Sequence, residues 1–418
     1  MIDYPQALSL LQQAVSPLEA EWVESARAHG RVLATAVVSE VALPAFDNSS
    51  MDGFALATGG KTLPEGSELA VRGSQAAGDE HRRADGGAWE IMTGARVPEG
   101  LDAIVPVEQV EVLARDAGRP ASIRLRQAVE PGDFLRRRGE DVAEGSEVIA
   151  AGTVLRTQEV MLLASLGVAR VQVRRRPRVA VIATGRELVV DPAQPLQSGQ
   201  IRDSNRPFLL GQLQAAGAEV VWHGVVGDEV APFRQALEQA LSLGADVILS
   251  TGAVSEGRYD FVPDALRERG ARIVFHKVAV RPGKPVLFAA LREGPLYFGL
   301  PGNPVSTAVG LRFFVEPALR AMSGQPAESP LRIALKADFA KAPALRFFAR
   351  AWVGPDAAGR LEVEVLPKQE SFRLMPMLQA NAWAVVPEGQ AGAARGEAVE
   401  VYGLGHRQPV QLFPEMAS

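Results

Sequence analysis

Between Arg178 and about Met322 short apolar runs alternate with longer segments of helical period, and no other feature of the sequence restricts the fold as strongly. Residues 178–183, Arg-Val-Ala-Val-Ile-Ala, are apolar at consecutive positions rather than at every second one. A strand of that kind is buried on both faces, the condition met in a parallel sheet with helices on either side. The pattern predicts helices over 207–216 and 229–243, ended by Gly217 and Gly244. Leu209, Leu210 and Leu213 share one face of the first, and Val230, Phe233, Leu237, Ala240 and Leu241 one face of the second. Strands are predicted over 219–226, 246–250, 273–277, 286–290 and 296–299, a short helix over 264–269, and a last helix from Pro304 to about Met322. Together these make a doubly wound α/β domain.

The flanks read differently. Ala7, Leu8, Leu11, Ala14 and Val15 recur at helical spacing, with Asp3 as cap and Pro5 in the first turn, so a helix is expected over 3–15. From Val41 to Leu155 the apolar runs are short and separated by Gly, Pro and Asp, the signature of a mostly β, meandering or barrel-like region. A helix over 157–166, ended by Gly167, and the run Arg174-Arg175-Arg176-Pro177 mark its end. After Ser323-Gly324-Gln325-Pro326 the period returns to two, with Gly354-Pro355-Asp356 and Gly359 as a hairpin loop. The expected fold is multidomain α/β plus β: an N-terminal linker and β region over 1–176, the α/β domain over 177–324, and a small β-barrel-like domain over 325–418.

Composition narrows the chemistry. With no Cys, the chain has no disulfide, thiolate metal site, iron–sulfur cluster or cysteine nucleophile, which fits the cytoplasm. Lys and Arg total 44 against 49 Asp and Glu, a net charge of -5 that argues against a nucleic-acid or anionic-membrane partner. The start, Met1-Ile2-Asp3-Tyr4-Pro5, does not resemble a signal peptide, and the longest uncharged run, 294–311, is broken by Pro295, Pro301, Gly302, Asn303 and Pro304.

The sequence has no G-x-G-x-x-G after a strand, no phosphate-binding G-x-x-x-x-G-K-[ST] and no H-E-x-x-H. Its five histidines, His29, His81, His223, His276 and His406, are too scattered to suggest a metal cluster. Four polar loops with glycine do stand out, each after an apolar strand: 184–188 with Gly185 and Glu187, 198–205 with Ser204, 250–260 with Ser250, Gly252, Ser255 and Asp260, and 300–306 with Pro301, Gly302 and Asn303. Ligands of open α/β sheets bind outside the carboxyl ends of the strands, and small residues let backbone N–H groups approach an anion. Pro304 adds a helix start. Lys277, Arg281 and Lys284 lie in one connection and offer cations to the same anion. Two dense polar segments, 44–55 and 91–98, and the charge cluster Arg136-Arg137-Arg138 with Glu140-Asp141, fall in the N-terminal region.

These residues carry a resemblance. Pro-x-Phe-Asp-Asn-Ser-x-Met-Asp-Gly-Phe-Ala at 44–55, Met-Thr-Gly-Ala at 92–95 followed by Pro98 and Asp102-Ala103, Arg-Gly-Glu-Asp-Val at 138–142, Asp-Ser-Asn at 203–205, Pro-Gly-Lys-Pro at 282–285 and Leu-Pro-Gly-Asn-Pro-Val-Ser at 300–306 resemble the molybdopterin molybdenumtransferase family, which includes MoeA and the gephyrin E domain. The resemblance implies a cytoplasmic homodimer that inserts molybdate into adenylylated molybdopterin and releases AMP with Mg2+ assisting. A molybdopterin adenylyltransferase and acceptor molybdoenzymes are the implied partners. It further implies that Asp52, Thr93, Asp141, Glu187, Asp228, Asp260, Lys277, Arg281, Lys284 and Ser371 surround the pocket, with the N-terminal loops of one subunit closing over the α/β domain of the other. Carboxylates repel an oxyanion, so Glu187 and Asp260 are assigned to Mg2+ rather than to molybdate.

The chain departs from the family pattern at three places. Arg186 stands where Thr-Gly-Asp-Glu-Leu has an acid, Ala253 where a second Gly is expected, and Arg281 where Lys is common. If position 253 has positive φ, the alanine costs about 1 kcal/mol. Pairing of Arg186 with Glu256 would cancel the reversed charge. The alternatives are a paralogue that binds or delivers the cofactor without catalysis, a gephyrin-like scaffold, or the adenylyltransferase itself, against which the two extra β regions argue.

Overall fold

A computed structural model describes residues 1–254, 261–292 and 294–412. Its centre is a six-stranded sheet in the order Glu219–Val226, Arg178–Thr184, Val247–Thr251, Leu296–Leu300, Leu287–Ala290, Arg272–His276. The first four strands are parallel, as expected. Leu287–Ala290 instead runs antiparallel to both neighbours, so the sheet is mixed. Residues 291–295 alone separate it from Leu296–Leu300, and a parallel crossover needs a dozen or more.

Alternation along Arg178–Thr184 divides the core in two. Val179 and Val181 face one side with Val247, Leu249, Phe288 and Phe298, while Ala180 and Ile182 face the other with Ile248, Leu287 and Tyr297. Helix α1 (Tyr4–Ala14) covers the first face through Tyr4, Ala7 and Leu11. Its start is capped by Asp3, whose carboxylate accepts a hydrogen bond from Gln6 N at 2.8 Å. The helix that the sequence groups with the N-terminal region therefore packs into the α/β core. The Tyr4 hydroxyl donates to the Phe313 carbonyl at 3.2 Å, and its ring meets Phe314 and Phe348 edge-on.

The N-terminal region contains more than one core. Strands Ala20–Glu24 and Arg170–Arg174 pair antiparallel, and with α2 (Thr157–Ser165) they enclose Ala28, Leu33, Leu155, Leu163, Val171 and Val173. Between them is a second sheet in the order Ala103–Pro106, Gly53–Leu56, Ala88–Ile91, Glu68–Gln75, Arg119–Leu125, Val110–Asp116. The chain crosses to and from the α/β domain side by side: the Arg174 guanidinium donates to Leu18 O at 2.8 Å, and Arg175 holds Asp246 with two bonds of 2.7 Å.

Helices α3 (Asn205–Ala215) and α4 (Val230–Ser242) cover opposite faces, with α5 (Val262–Glu268) beside α4. The predicted last helix is α6 (Pro304–Gly310), a π turn at Leu311–Val315, and α7 (Glu316–Met322) in continuous succession. The C-terminal strands Leu331–Leu335, Arg346–Pro355, Leu361–Val365, Ala382–Val386 and Ala398–Tyr402 pair into a closed ring, the expected small barrel, with α8 (Met375–Gln379) outside it. Strand Val280–Arg281 of the α/β domain adds to this barrel alongside Arg346 and Phe347.

Because Leu11 is fully buried in a core made by the α/β domain, Leu11→Ala should lower the stability of that domain by about 3 kcal/mol. Chemical denaturation followed by the far-ultraviolet signal checks it. A loss under 1 kcal/mol would mean that α1 is a detachable arm.

Candidate functional site

Three strands of the sheet end side by side, and their loops form the walls of one cleft. Thr184, at the end of its strand, donates from its hydroxyl to Thr251 O at 2.9 Å, and Gly252 N donates to Leu300 O at 3.0 Å. A β-carbon on Gly252, at φ +85°, would stand 2.8 Å from Thr184 Oγ1. Gly185 serves the neighbouring loop in the same way: a β-carbon there would meet both carboxylate oxygens of Glu187 at 2.7 and 2.8 Å. Glycine at these positions lets the loops close on one another. Asn205 Nδ2 binds Gly302 O at 2.7 Å and ties the start of α3 to the third loop.

The cleft has a volume of about 580 Å3 and is lined by Thr184, Glu187, Leu188, Ile201, Arg202, Asp203, Ser204, Asn205, Thr251, Gly252, Ala253, Val254, Pro285, Pro301, Gly302, Asn303, Pro304 and Phe372. A second lobe of about 320 Å3 shares Thr184, Glu187, Gly252 and Ala253 with it and adds Arg186, Gly227, Asp228 and Glu229. Two helical runs begin at the cleft, α3 at Asn205 and the run from Pro304, so the positive ends of two helix dipoles lie at its wall. The C-terminal region closes one side. Asn303 Nδ2 donates to Ser371 Oγ at 3.0 Å and Val305 N to Ser371 O at 3.0 Å. Fully buried Arg350 holds that segment by donating to the carbonyls of Arg373, Lys368 and Glu370.

Of the residues expected to bind cofactor, Ser204, Gly252, Pro301, Gly302 and Asn303 line the cleft, Gly185 is buried between the lining residues Thr184 and Glu187, and Ser371 holds Asn303. Glu187 and Asp228 line the second lobe, where Arg186 N donates to Asp228 Oδ2 at 3.2 Å. Ser250 does not reach the cleft: it is fully buried within Val247–Thr251, between Ile182 and Gly299 in the sheet. Lys277, Arg281 and Lys284 do not line it either. Arg281 is in register with Phe347 of the barrel and its guanidinium lies 5.5 Å from that ring, so their connection contributes only Pro285. Ser255, Glu256 and Asp260 lie outside the described residues. Phe372, exposed on the rim, was not singled out by the sequence, and its only signal is its place beside Ser371.

Asp52 and Thr93 come together as expected, but away from the cleft of their own chain. The Asp52 carboxylate accepts from Thr93 N at 2.7 Å and from its hydroxyl at 3.0 Å, bonds that hold Asp52 below its ordinary pKa. Asn48 bridges Arg96, Ser50 N binds Phe134 O, and Leu43 bridges Val142, so the segments around Asp52, Thr93 and Asp141 form one surface. Exposed Phe46, Met51, Met92 and Phe134 belong to it.

Three family descriptions match consecutive stretches of the chain: "MoeA N-terminal region (domain I and II)" over 2–167, "Probable molybdopterin binding domain" over 180–321, and "MoeA C-terminal region (domain IV)" over 332–404. A molybdopterin molybdenumtransferase of Synechococcus elongatus is 38% identical, covering 97% of this chain and all of its own length. One of Haemophilus influenzae is 34% identical, over 97% and 99%. The crystal structure of a molybdopterin biosynthesis moeA protein from Pyrococcus horikoshii superposes with a TM-score of 0.80 at 29% identity, covering 96% of this chain and 99% of that one.

Ala253 has φ +52°, in the left-handed region where an alanine is strained. Ala253→Gly should therefore raise stability by about 1 kcal/mol in chemical denaturation, and a loss would show that the methyl group packs usefully. The second lobe generates another expectation. A unit charge pair at about 4 Å and an effective dielectric of about 20 is worth ~4 kcal/mol before screening. Arg186→Asp should therefore tighten Mn2+ binding at least about ten-fold, read by electron paramagnetic resonance, whereas equal affinity would separate the guanidinium from the lobe's electrostatics.

Proposed function

The chain belongs to the MoeA family of molybdopterin molybdenumtransferases, and on that premise we propose that it inserts molybdate into adenylylated molybdopterin with release of AMP. The observation that carries the reading is the glycine-walled cleft at the ends of three parallel strands. Its Gly252 and Gly302 walls and helix starts suit a diphosphate, which can approach the backbone and the positive helix ends without a side chain in the way. Molybdate is the second substrate, bound by N–H donors and by cations rather than by carboxylates.

In the proposed mechanism Gly252, Gly302 and Asn303 hold the diphosphate, and Ser204 and Asn205 fix its approach. Asp52, ionised and oriented by Thr93, positions water. Because Asp52 and Thr93 line no portion of their own cleft, the working unit is a homodimer in which this surface, with Asp141, covers the cleft of the second copy. The exposed Phe46, Met51, Met92 and Phe134 give that contact an apolar rim.

The described residues do not fit a resident Mg2+. Glu187, Asp228 and Glu229 share a lobe with Arg186, and no group of three or more potential ligands converges among the described residues. No step is therefore routed through the metal. Arg186 also favours a second reading, a paralogue that carries cofactor without turnover. Among the described residues no helix is long and apolar enough to cross a membrane. We assign the protein to the cytoplasm, receiving substrate from a molybdopterin adenylyltransferase and passing product to acceptor molybdoenzymes.

Mixing the protein with adenylylated molybdopterin and molybdate should release AMP and molybdenum-bearing cofactor together. AMP without cofactor would mean a hydrolase, and tight binding without AMP would favour the carrier. Asp52→Ala and Asp228→Ala should each be inactive yet recover about a quarter of the wild-type rate when dissociated and reassembled together, since half the dimers then carry one intact site. No recovery would overturn the shared site.

A further inference from the structure

His276 is the last residue of the edge strand Arg272–His276, and its half-buried ring meets the carbonyl of Val254 with Nε2 at 2.7 Å. A carbonyl only accepts, so Nε2 carries the proton and donates. The bond reaches across the sheet, because Leu296–Leu300 and Leu287–Ala290 lie between the strand that ends at Thr251 and the strand that ends at His276. It ties the wall at Ala253 and Val254, which line the cleft, to the start of the connection that carries Lys277, Arg281 and Lys284.

Both ends of this bond adjoin strained backbone. Among the described residues five other than glycine have positive φ, and two of them are Ala253, at +52°, and Lys277, at +70°. Ala253 precedes the acceptor, and Lys277 follows the donor. Left-handed conformations of residues with a β-carbon persist only where surrounding contacts over-determine them. For Lys277 backbone bonds do this: its N–H donates to Val286 O at 3.0 Å, and Val278 N donates to Lys284 O at 3.0 Å. Ala253 and Val254 form no backbone hydrogen bond with another described residue. Two other contacts hold them. The Val254 side chain is 2% exposed and lies so close to Gly299 that a β-carbon there would stand 2.6 Å from Val254 Cγ1, and the Val254 carbonyl is held by His276.

We infer that His276 is a positioning residue for molybdenum insertion, whose ring keeps the strained wall at Ala253 in place and in fixed relation to the connection that begins at Lys277. The inference rests on the function proposed above. The alanine creates the demand, since a glycine at 253 would adopt φ +52° without such help. Ala253 also lines the lobe of Arg186, so a shift of this wall would alter the cleft and the lobe together. The walls that receive the diphosphate are held by other bonds, Gly252 N to Leu300 O and Asn205 Nδ2 to Gly302 O. Loss of the ring should therefore slow turnover more than it weakens substrate binding.

The test follows release of AMP and molybdenum-bearing cofactor by the full chain. His276→Phe keeps a ring without the donor, and should lower kcat at least ten-fold while KM for adenylylated molybdopterin stays within two-fold. His276→Gln, whose amide N–H can reach the same carbonyl, should recover to within three-fold of wild type, and the shorter His276→Asn should not. Adding Ala253→Gly to His276→Phe should raise kcat at least three-fold, because the glycine needs no support. In 15N-labelled wild type at pH 8, nuclear magnetic resonance should find the His276 proton on Nε2. A wild-type kcat in His276→Phe, a Gln variant no better than Asn at equal thermal stability, no gain from Ala253→Gly, or a proton on Nδ1 would each overturn the role and leave the molybdenumtransferase reading intact. A rise in KM with kcat unchanged would make His276 a support for binding alone and overturn it too. A wild type that released no AMP would remove the functional reading, and this role with it.

Discussion

A strand buried on both faces needs apolar cover on each, and the central sheet of this protein is organised by that demand. Val179 and Val181 look one way and Ala180 and Ile182 the other, so two separate layers must be assembled from the rest of the chain. One layer draws on α4 and α5, which are local. The other draws on α1 from the first residues, on α3, on the helical run from Pro304 to Met322, and on Phe348 and Trp383 from the barrel. Helix α1, the α/β domain and the barrel are thereby joined through one core, while the rest of the N-terminal region keeps cores of its own. The site inherits its rigidity from this arrangement, because its loops leave strands that are fixed from above and below.

Much of this was legible in the sequence because it is local. Continuous apolar runs with glycine stops located the strands and helices of the α/β domain, and the return to period two located the barrel. Direction was not legible: a short apolar run such as Leu287–Ala290 reads the same whether it lies parallel or antiparallel, and only its distance from Leu296 decides. The partner of α1 was not legible either, since an amphipathic face states that something covers it and not what does. The division of the N-terminal region stayed hidden because one of its cores closes between residues as distant as Val23 and Val171.

The site followed the same rule. Glycine and small polar residues after apolar strands located the cleft, and Gly252, Gly302 and Asn303 line it. Within a strand buried on both faces, however, the sequence cannot say where the wall begins, so Ser250 was grouped with the loop although it sits inside the sheet. The cationic connection was misplaced for a different reason. Arg281 takes its position from register with Phe347, in a domain that the local pattern does not mention. Ala253 shows the opposite case: its strain was readable once the loop was identified, and φ +52° bears it out.

The bond from the Tyr4 hydroxyl to Phe313 O spans 309 residues. During synthesis α1 leaves the ribosome well before its cover does, and the layer that buries it is not complete until the helical run ending at Met322 and the barrel residues Phe348 and Trp383 have followed. Its apolar stripe is thus exposed until those residues have been made, a long-range contact of the kind that slows folding and invites association with other chains. The helix that completes the core of the mature protein is, in the nascent one, a natural handle for a chaperone.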